Sequence, residues 1–254
     1  MDISIKPTWE AKIFAFDVDG TIAHKGRLLP EAKKLFHYLA SKQRILLLVT
    51  MRTWFEVLPI ITELAVPIQT VCFGGSVLVD SARQVLWSDS ASLPREAIEQ
   101  IHATCGEFIA ESIFDWSCSA PILYPFAKCA LGLPSSGERS WPPDFPVRRL
   151  VTLSRYMRQD FSIMIPNTCV ITRPPNLPIT KIECRGIAKG EGLARFAALM
   201  GWDLSNAVSV GDDEADISMF QQTESSITFT SAPAIVRKAA RLHIGSIDDI
   251  FRLF

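Results

Sequence analysis

Two uninterrupted apolar runs, each closing on a polar residue, constrain the fold of this chain more than any other feature. Lys12-Ile13-Phe14-Ala15-Phe16 ends at Asp17, and Arg44-Ile45-Leu46-Leu47-Leu48-Val49 ends at Thr50. A strand with one face in water alternates apolar and polar residues. An unbroken apolar run fits a strand covered on both faces, as in parallel sheets. Between the runs, a stretch from Pro30 places Ala32, Leu35, Phe36 and Leu39 on one helical face. A second helix is expected from about Thr53 to Leu64, and a third strand from Ile68 to Phe73. Strand, helix, strand, helix, strand is the pattern of a doubly wound α/β sheet.

The texture changes after Gly74. Val77-Leu78-Val79 and Gln84-Val85-Leu86-Trp87 flank Asp80-Ser81-Ala82-Arg83, which reads as a hairpin. A helix is expected from Pro94, with strands at 161–165, 169–172 and 179–184. Pro134, Pro142, Pro143 and Pro146 mark 133–146 as loop. The first pattern returns after Gly186, with helices at 191–200, 216–221, 233–240 and 246–253. Strands are expected there at 206–210 and 226–230. The chain thus reads as a Rossmann-like parallel-sheet core, 1–75 and 185–254, split by an inserted α+β domain at 76–184.

Ligands of open parallel sheets collect beyond the carboxyl ends of the strands. Asp17, Asp19, Thr50 and Asp212 all fall at or just past such ends. In Asp17-Val18-Asp19-Gly20-Thr21, two carboxylates follow a buried strand, and a magnesium ion with oxygen ligands would offset their repulsion. One carboxylate could then attack phosphorus while the other transfers protons. Gly20 permits a sharp turn, and Thr21 offers a hydroxyl and an amide to a phosphate. An ordinary Asp-rich turn is the plain alternative. Thr50 could cap the following helix or hold a phosphate oxygen. Lys189 opens a helix, where the dipole disfavours a cation unless an anion is near. Asp212, Asp213, Glu214 and Asp216 crowd the segment after another strand. Some of them would cap the next helix. Asp212 is favoured as a metal ligand, and Asp216 as a group orienting a metal-bound water or Lys189.

These segments, in this order, resemble the haloacid dehalogenase-like hydrolase superfamily over essentially the whole chain. Within it the chain is similar to the Cof-type and sucrose-phosphatase-like group with a large α+β (C2-type) cap. Thr50-Met51-Arg52, Gly74-Gly75, Ile187-Ala188-Lys189-Gly190 and Ser231-Ala232-Pro233 carry the narrower likeness. The resemblance implies a phosphatase in which Asp17 is the nucleophile and Asp19 the general acid and base. It implies Mg2+ held by Asp17, the Asp19 backbone carbonyl and Asp212, with Asp216 and Asp213 supporting that site. Thr50, Lys189 and Thr21 would bind the phosphoryl group, and the cap would select the leaving group.

Three positions depart from the family pattern: Met51 for Gly, Gly74 for Asn and Ala215 for Asn. Substrate affinity and identity are what these changes would alter. Arg52 and Arg185 are candidate substrate contacts, and Trp87, Trp116 and Trp141 could stack on a sugar. A phosphomutase and a silent phosphate-ligand binding protein are the competing functions.

The expected partner is a small phosphate ester. Lys+Arg 26 against Asp+Glu 27 gives a net charge of −1, which offers no footprint for nucleic acid or an anionic membrane. The six cysteines include no Cys-x-x-Cys pair and His is scarce, which argues against zinc. Reduced thiols, an N-terminus unlike a signal peptide and the lack of a spanning apolar run lead to a cytoplasmic protein, expected as a monomer or homodimer.

Overall fold

A computed structural model describes residues 11–113, 116–119, 123, 143, 145–153, 169–173, 178–184 and 186–253. The expected strand at 161–165, Trp141, Arg185 and most of the 133–146 loop lie outside the described residues.

The chain divides into two units. The first comprises Met1–Thr53, Val57–Asp89 and Ile187–Phe254. It opens with β1 (Ile13–Phe16), a small hairpin of β2 (Ala23–His24) and β3 (Arg27–Leu28), α1 (Pro30–Ser41) and β4 (Ile45–Val49). Next come α2 (Trp54–Leu64), β5 (Gln69–Cys72), a 3-10 turn at Phe73–Gly75, β6 (Val77–Val79) and β7 (Val85–Ser88). Among the described residues β1, β4, β5, β6 and β7 join a sheet of order β15-β14-β13-β1-β4-β5-β6-β7, apart from the β2–β3 hairpin. Its other members, β13 (Ala207–Val210), β14 (Ser225–Phe229) and β15 (Leu242–Ile244), run parallel to β1, β4 and β5.

Both faces of β1 are covered, which explains its unbroken apolarity. Phe16 packs its ring 4.8 Å from Phe36 of α1, where Ala32, Leu35 and Leu39 are also buried. Ile13 and Ala15 join the opposite core with Leu193 and Phe196 of α4 (Lys189–Met200). The first unit is completed by α5 (Ile217–Phe220), α6 (Ala234–Ala239) and a 3-10 segment, Ile247–Leu253. The last of these replaces the α-helix expected at 246–253.

The hairpin at 77–88 belongs to this sheet, because β6 pairs antiparallel with β5 and β7 with β6. The second unit therefore begins near Ser90, not at 76. Trp87 is packed against the first unit's core, and the Arg195 guanidinium lies 4.1 Å from its ring centroid. That cation–π contact accounts for the indole without a sugar.

The second unit comprises Trp54–Glu56, the first turn of α2, and Ser90–Gly186. It contains α3 (Arg95–Cys105) and the short strands β8 (Ile109–Glu111), β9 (Trp116–Cys118), β10 (Arg149–Leu153), β11 (Cys169–Thr172) and β12 (Ile179–Cys184). They form an antiparallel sheet of order β11-β12-β10-β8-β9. Ile98 and Ile101 of α3 pack with Ala110, Leu150 and Ile182, one face of that sheet. Trp116, on β9, is fully buried.

Arg149 is also buried, between its register partners Glu111 and Glu183. Its Nε donates to Glu111 at 2.7 Å and its Nη1 to Glu56 at 3.0 Å, with Glu183 at 3.5 Å. Lys181 pairs with Glu56 at 3.3 Å. Among the described residues, Arg149 and Lys181 thus face Glu56, Glu111 and Glu183. Burial pushes the Glu111 carboxyl up to about 7, Glu56 adds to the rise, and Arg149 opposes it.

A raised acid binds its proton more tightly folded than unfolded, so the contribution of Glu111 to stability falls as pH rises from about 4.5 to about 7. Denaturation midpoints across that window are expected to decline more steeply for wild type than for Glu111→Gln. Parallel declines would contradict this role for Glu111.

Among the described residues, no helix is long and apolar enough to cross a membrane. Cys72, Cys118 and Cys169 are buried, and Cys184 is half-buried.

Candidate active site

The site residues of the first unit stand at the carboxyl ends of β1, β4 and β13, the neighbouring central strands. The Asp17 amide donates to the Val210 carbonyl at 2.8 Å, which holds the loop after β1 beside Gly211 and Asp212. Thr50 continues β4, its amide donating to Val71 of β5 at 2.9 Å. Backbone pairing alone therefore brings Asp17, Thr50 and Asp212 to one edge.

Lys189, the first residue of α4, is 3% exposed. Its Nζ lies 2.6 Å from Asp17 Oδ1 and 2.7 Å from Asp216 Oδ1. Burial opposes the charge on this lysine, but Asp17 and Asp216 outweigh it, and its pKa is raised. Asp216 is fully committed: its Oδ2 accepts from the amides of Asp212 and Asp213 at 2.9 and 3.0 Å. That arrangement closes the acidic turn and places Asp216 against Lys189, one of the two groups the sequence reading set beside it. Asp213 caps the same turn, accepting from the Glu214 amide in a reciprocal capping box with Asp216.

Asp212 accepts from the Thr21 hydroxyl at 2.9 Å. Thr21 was expected to serve a phosphate, and here its hydroxyl fixes Asp212. Gly20 has φ +86°, and a Cβ on it would sit 2.6 Å from Asp212 Cγ. The turn after Asp19 therefore needs glycine for both its conformation and its clearance. Thr50 is buried, and its hydroxyl accepts the Arg52 amide at 3.1 Å, so it caps the local turn rather than α2.

Arg52 reaches Asp19, with Nε 2.8 Å from one carboxylate oxygen and Nη2 2.7 Å from the other. Its motif pointed to a substrate contact, and pairing with the neighbouring acid was not legible there. Met51 is exposed, and its Sδ lies 2.8 Å from where a Cβ on Gly74 would stand. Two departures from the family pattern thus adjoin: the Met side chain fills space next to the position that lacks one.

Carboxylate oxygens of Asp17, Asp212 and Asp216 lie within 4.8 Å of one another. Burial lifts Asp17 up to about 7 against the pull of Lys189, with Asp216 adding to the rise. Asp212 is raised as well, first by burial, and Thr21 opposes that. Among the described residues, these three acids are joined by Lys189 as a cation, and a hard divalent cation fits that donor set. Asp216 has both oxygens engaged, whereas Lys189 bonds Oδ1 of Asp17 and Thr21 bonds Oδ1 of Asp212.

Residues 14–117 and 148–250 match the haloacid dehalogenase-like hydrolase family. The chain belongs to that family. The likeness read from the motifs is therefore one of descent as well as pattern, and the chain is an enzyme of a hydrolase family. A phosphoglycolate phosphatase from Methanosarcina acetivorans is 31% identical over 90 residues. That match covers 33% of this chain and 40% of that protein, less than half the relative's length.

Solved structures share the fold across nearly the whole chain. A haloacid dehalogenase-like hydrolase from Bacteroides thetaiotaomicron has a TM-score of 0.79 at 15% identity, covering 96% of this chain and 100% of its own. A structure described as a subclass IIB sugar phosphatase of the same superfamily has a TM-score of 0.67 at 17% identity, with 96% and 100% covered.

Proposed function

We propose that this enzyme is a magnesium-dependent phosphatase that hydrolyses a small phosphorylated metabolite, such as a sugar phosphate, through an aspartyl-phosphate on Asp17. The observation that carries the reading is the buried Lys189 bridging Asp17 and Asp216 beside Asp212. A nucleophilic carboxylate, a fixed cation and a spare acid for metal meet there, as phosphoryl transfer by positioning and electrostatics requires. Family membership and the named activities of the relatives support the same reading.

Asp17 and Asp212, with the backbone carbonyl of Asp19, would hold Mg2+. When bound, the ion supplies positive charge that keeps Asp17 ionised and offsets the phosphoryl oxygens. An Asp17 carboxylate oxygen attacks phosphorus, the bond to the ester oxygen breaks, and Asp19 gives its proton to that oxygen. Water then attacks phosphorus and passes a proton to Asp19. The bond from phosphorus to Asp17 breaks, and phosphate leaves. Lys189 and Thr50 bind the phosphoryl oxygens throughout, and Thr21 acts through Asp212. The second unit serves as the cap that selects the leaving group.

In this reading the phosphate ester is the partner, with neither nucleic acid nor membrane involved. The enzyme works in the cytoplasm as a monomer or homodimer.

Phosphate release from a panel of small phosphomonoesters, with magnesium and with a chelator, tests the proposal. Turnover is expected only with the metal, and at limiting magnesium it should weaken as pH falls and protons compete for Asp17. Metal-independent turnover would overturn the cofactor assignment. Isomerisation without net phosphate release would favour a phosphomutase.

A further inference from the structure

We propose that Arg52 is the positioning residue for Asp19, holding the carboxylate in place for proton transfer. The inference rests on the phosphatase reading above and deepens it. Asp19 projects from the loop after β1 with its side chain 59% exposed, whereas that of Arg52 is only 15% exposed. An exposed aspartate explores several rotamers, and proton transfer needs one.

Arg52 supplies the restraint through two parallel N–H bonds of 2.8 and 2.7 Å, one to each carboxylate oxygen. That fork fixes the plane of the carboxylate as well as its position. Each carboxylate oxygen has two acceptor sites, so one on each stays open to a proton. The guanidinium itself keeps its protons at any working pH and does not compete as an acid.

Arg52 can act this way because its backbone is anchored. Its amide donates to the Thr50 hydroxyl at 3.1 Å, and its carbonyl accepts the Phe73 amide at 2.9 Å. The Thr50 carbonyl accepts the Gly74 amide at 3.0 Å. The turn after β4 is therefore tied to the turn after β5, and the guanidinium extends from a fixed base toward the loop after β1. A flexible surface arginine would offer no such reference point.

A residue that positions a general acid matters most when the leaving group needs a proton. The test compares kcat/KM for two small esters, an alkyl phosphate whose alkoxide leaves poorly and p-nitrophenyl phosphate, whose phenolate leaves without help. Wild type, Arg52→Ala, Arg52→Lys, Asp19→Asn and the Arg52→Ala/Asp19→Asn double variant are measured on both. Arg52→Ala is expected to lose roughly a hundredfold on the alkyl ester and much less on the aryl ester. In the Asp19→Asn background it should add little, because the two residues act as a unit. Arg52→Lys keeps the charge but not the fork, and recovers part of the loss; it carries the comparison if the alanine variant does not fold.

Equal losses on both esters, persisting without Asp19, would show Arg52 acting on the substrate and overturn the inference. An active wild type with an unaffected alanine variant would overturn it too, leaving the phosphatase reading intact. A wild type inactive on both esters would overturn that reading and this inference together.

Discussion

Asp17→Asn is expected to remain folded and to lose phosphate release by at least roughly a thousandfold. The amide keeps the volume of the carboxylate and still offers Lys189 an oxygen to replace the bond now 2.6 Å long. Lys189 also keeps Asp216 at 2.7 Å, so no buried cation is stranded. What disappears is the anionic oxygen that attacks phosphorus, since an amide oxygen is a poor nucleophile. One member of the carboxylate group that would bind metal goes with it. A denaturation midpoint near wild type, measured beside the rate, separates this loss from unfolding. Retention of more than a tenth of the activity would rule out Asp17 as nucleophile.

Gly190→Ala is expected to destabilise the protein by about 3 kcal/mol and to impair turnover as well. Gly190 follows Lys189 in the first turn of α4, and its amide donates to Ser218 Oγ at 3.1 Å. A Cβ there would overlap the Ser218 carbonyl and stand 2.9 Å from the Met219 amide nitrogen. Those are backbone atoms of α5 and cannot rotate aside, so the two helices must separate. Lys189 begins one helix and Asp216 precedes the other, and the shift would pull their ion pair apart. Gly245→Ala is the comparison, because among the described residues its Cβ would meet the Asp249 carboxylate alone, at 3.2 Å. Urea midpoints of the two variants should differ by most of the expected effect. A Gly190→Ala midpoint equal to that of Gly245→Ala would contradict the tight approach of α4 and α5.

The parallel core was legible because burial on both faces writes itself as unbroken apolar runs, from Phe14 in β1 to Leu48 in β4. The polar residues at the strand ends were legible for the complementary reason: nothing structural calls for Asp17 or Asp212 there. The hairpin at 77–88 was recognised, but its place in the sheet was not. An antiparallel extension of a parallel sheet looks locally like the start of another domain. The strand Leu242–Ile244 escaped because three residues at a sheet edge carry too little pattern to exceed the helix before them.

The short strands around Arg149 and Glu111 escaped for a different reason. Buried charges read as surface residues until the partners across the sheet are known. Within the site, the residue types were visible and the pairings were not. Thr21 and Asp212 are 191 positions apart, and Arg52 and Asp19 are 33 apart, so only the fold brings them together.

The most direct test of the account uses Asp19→Asn with p-nitrophenyl phosphate and magnesium, stopped in acid after a single turnover. This variant can accept the phosphoryl group from a good leaving group but lacks the base that activates water, so the intermediate should accumulate. Peptide mass analysis is predicted to find one phosphoryl group on the peptide containing Asp17. Stoichiometric phosphate release with that peptide unmodified, or a phosphoryl group carried by another residue, would contradict covalent catalysis by Asp17.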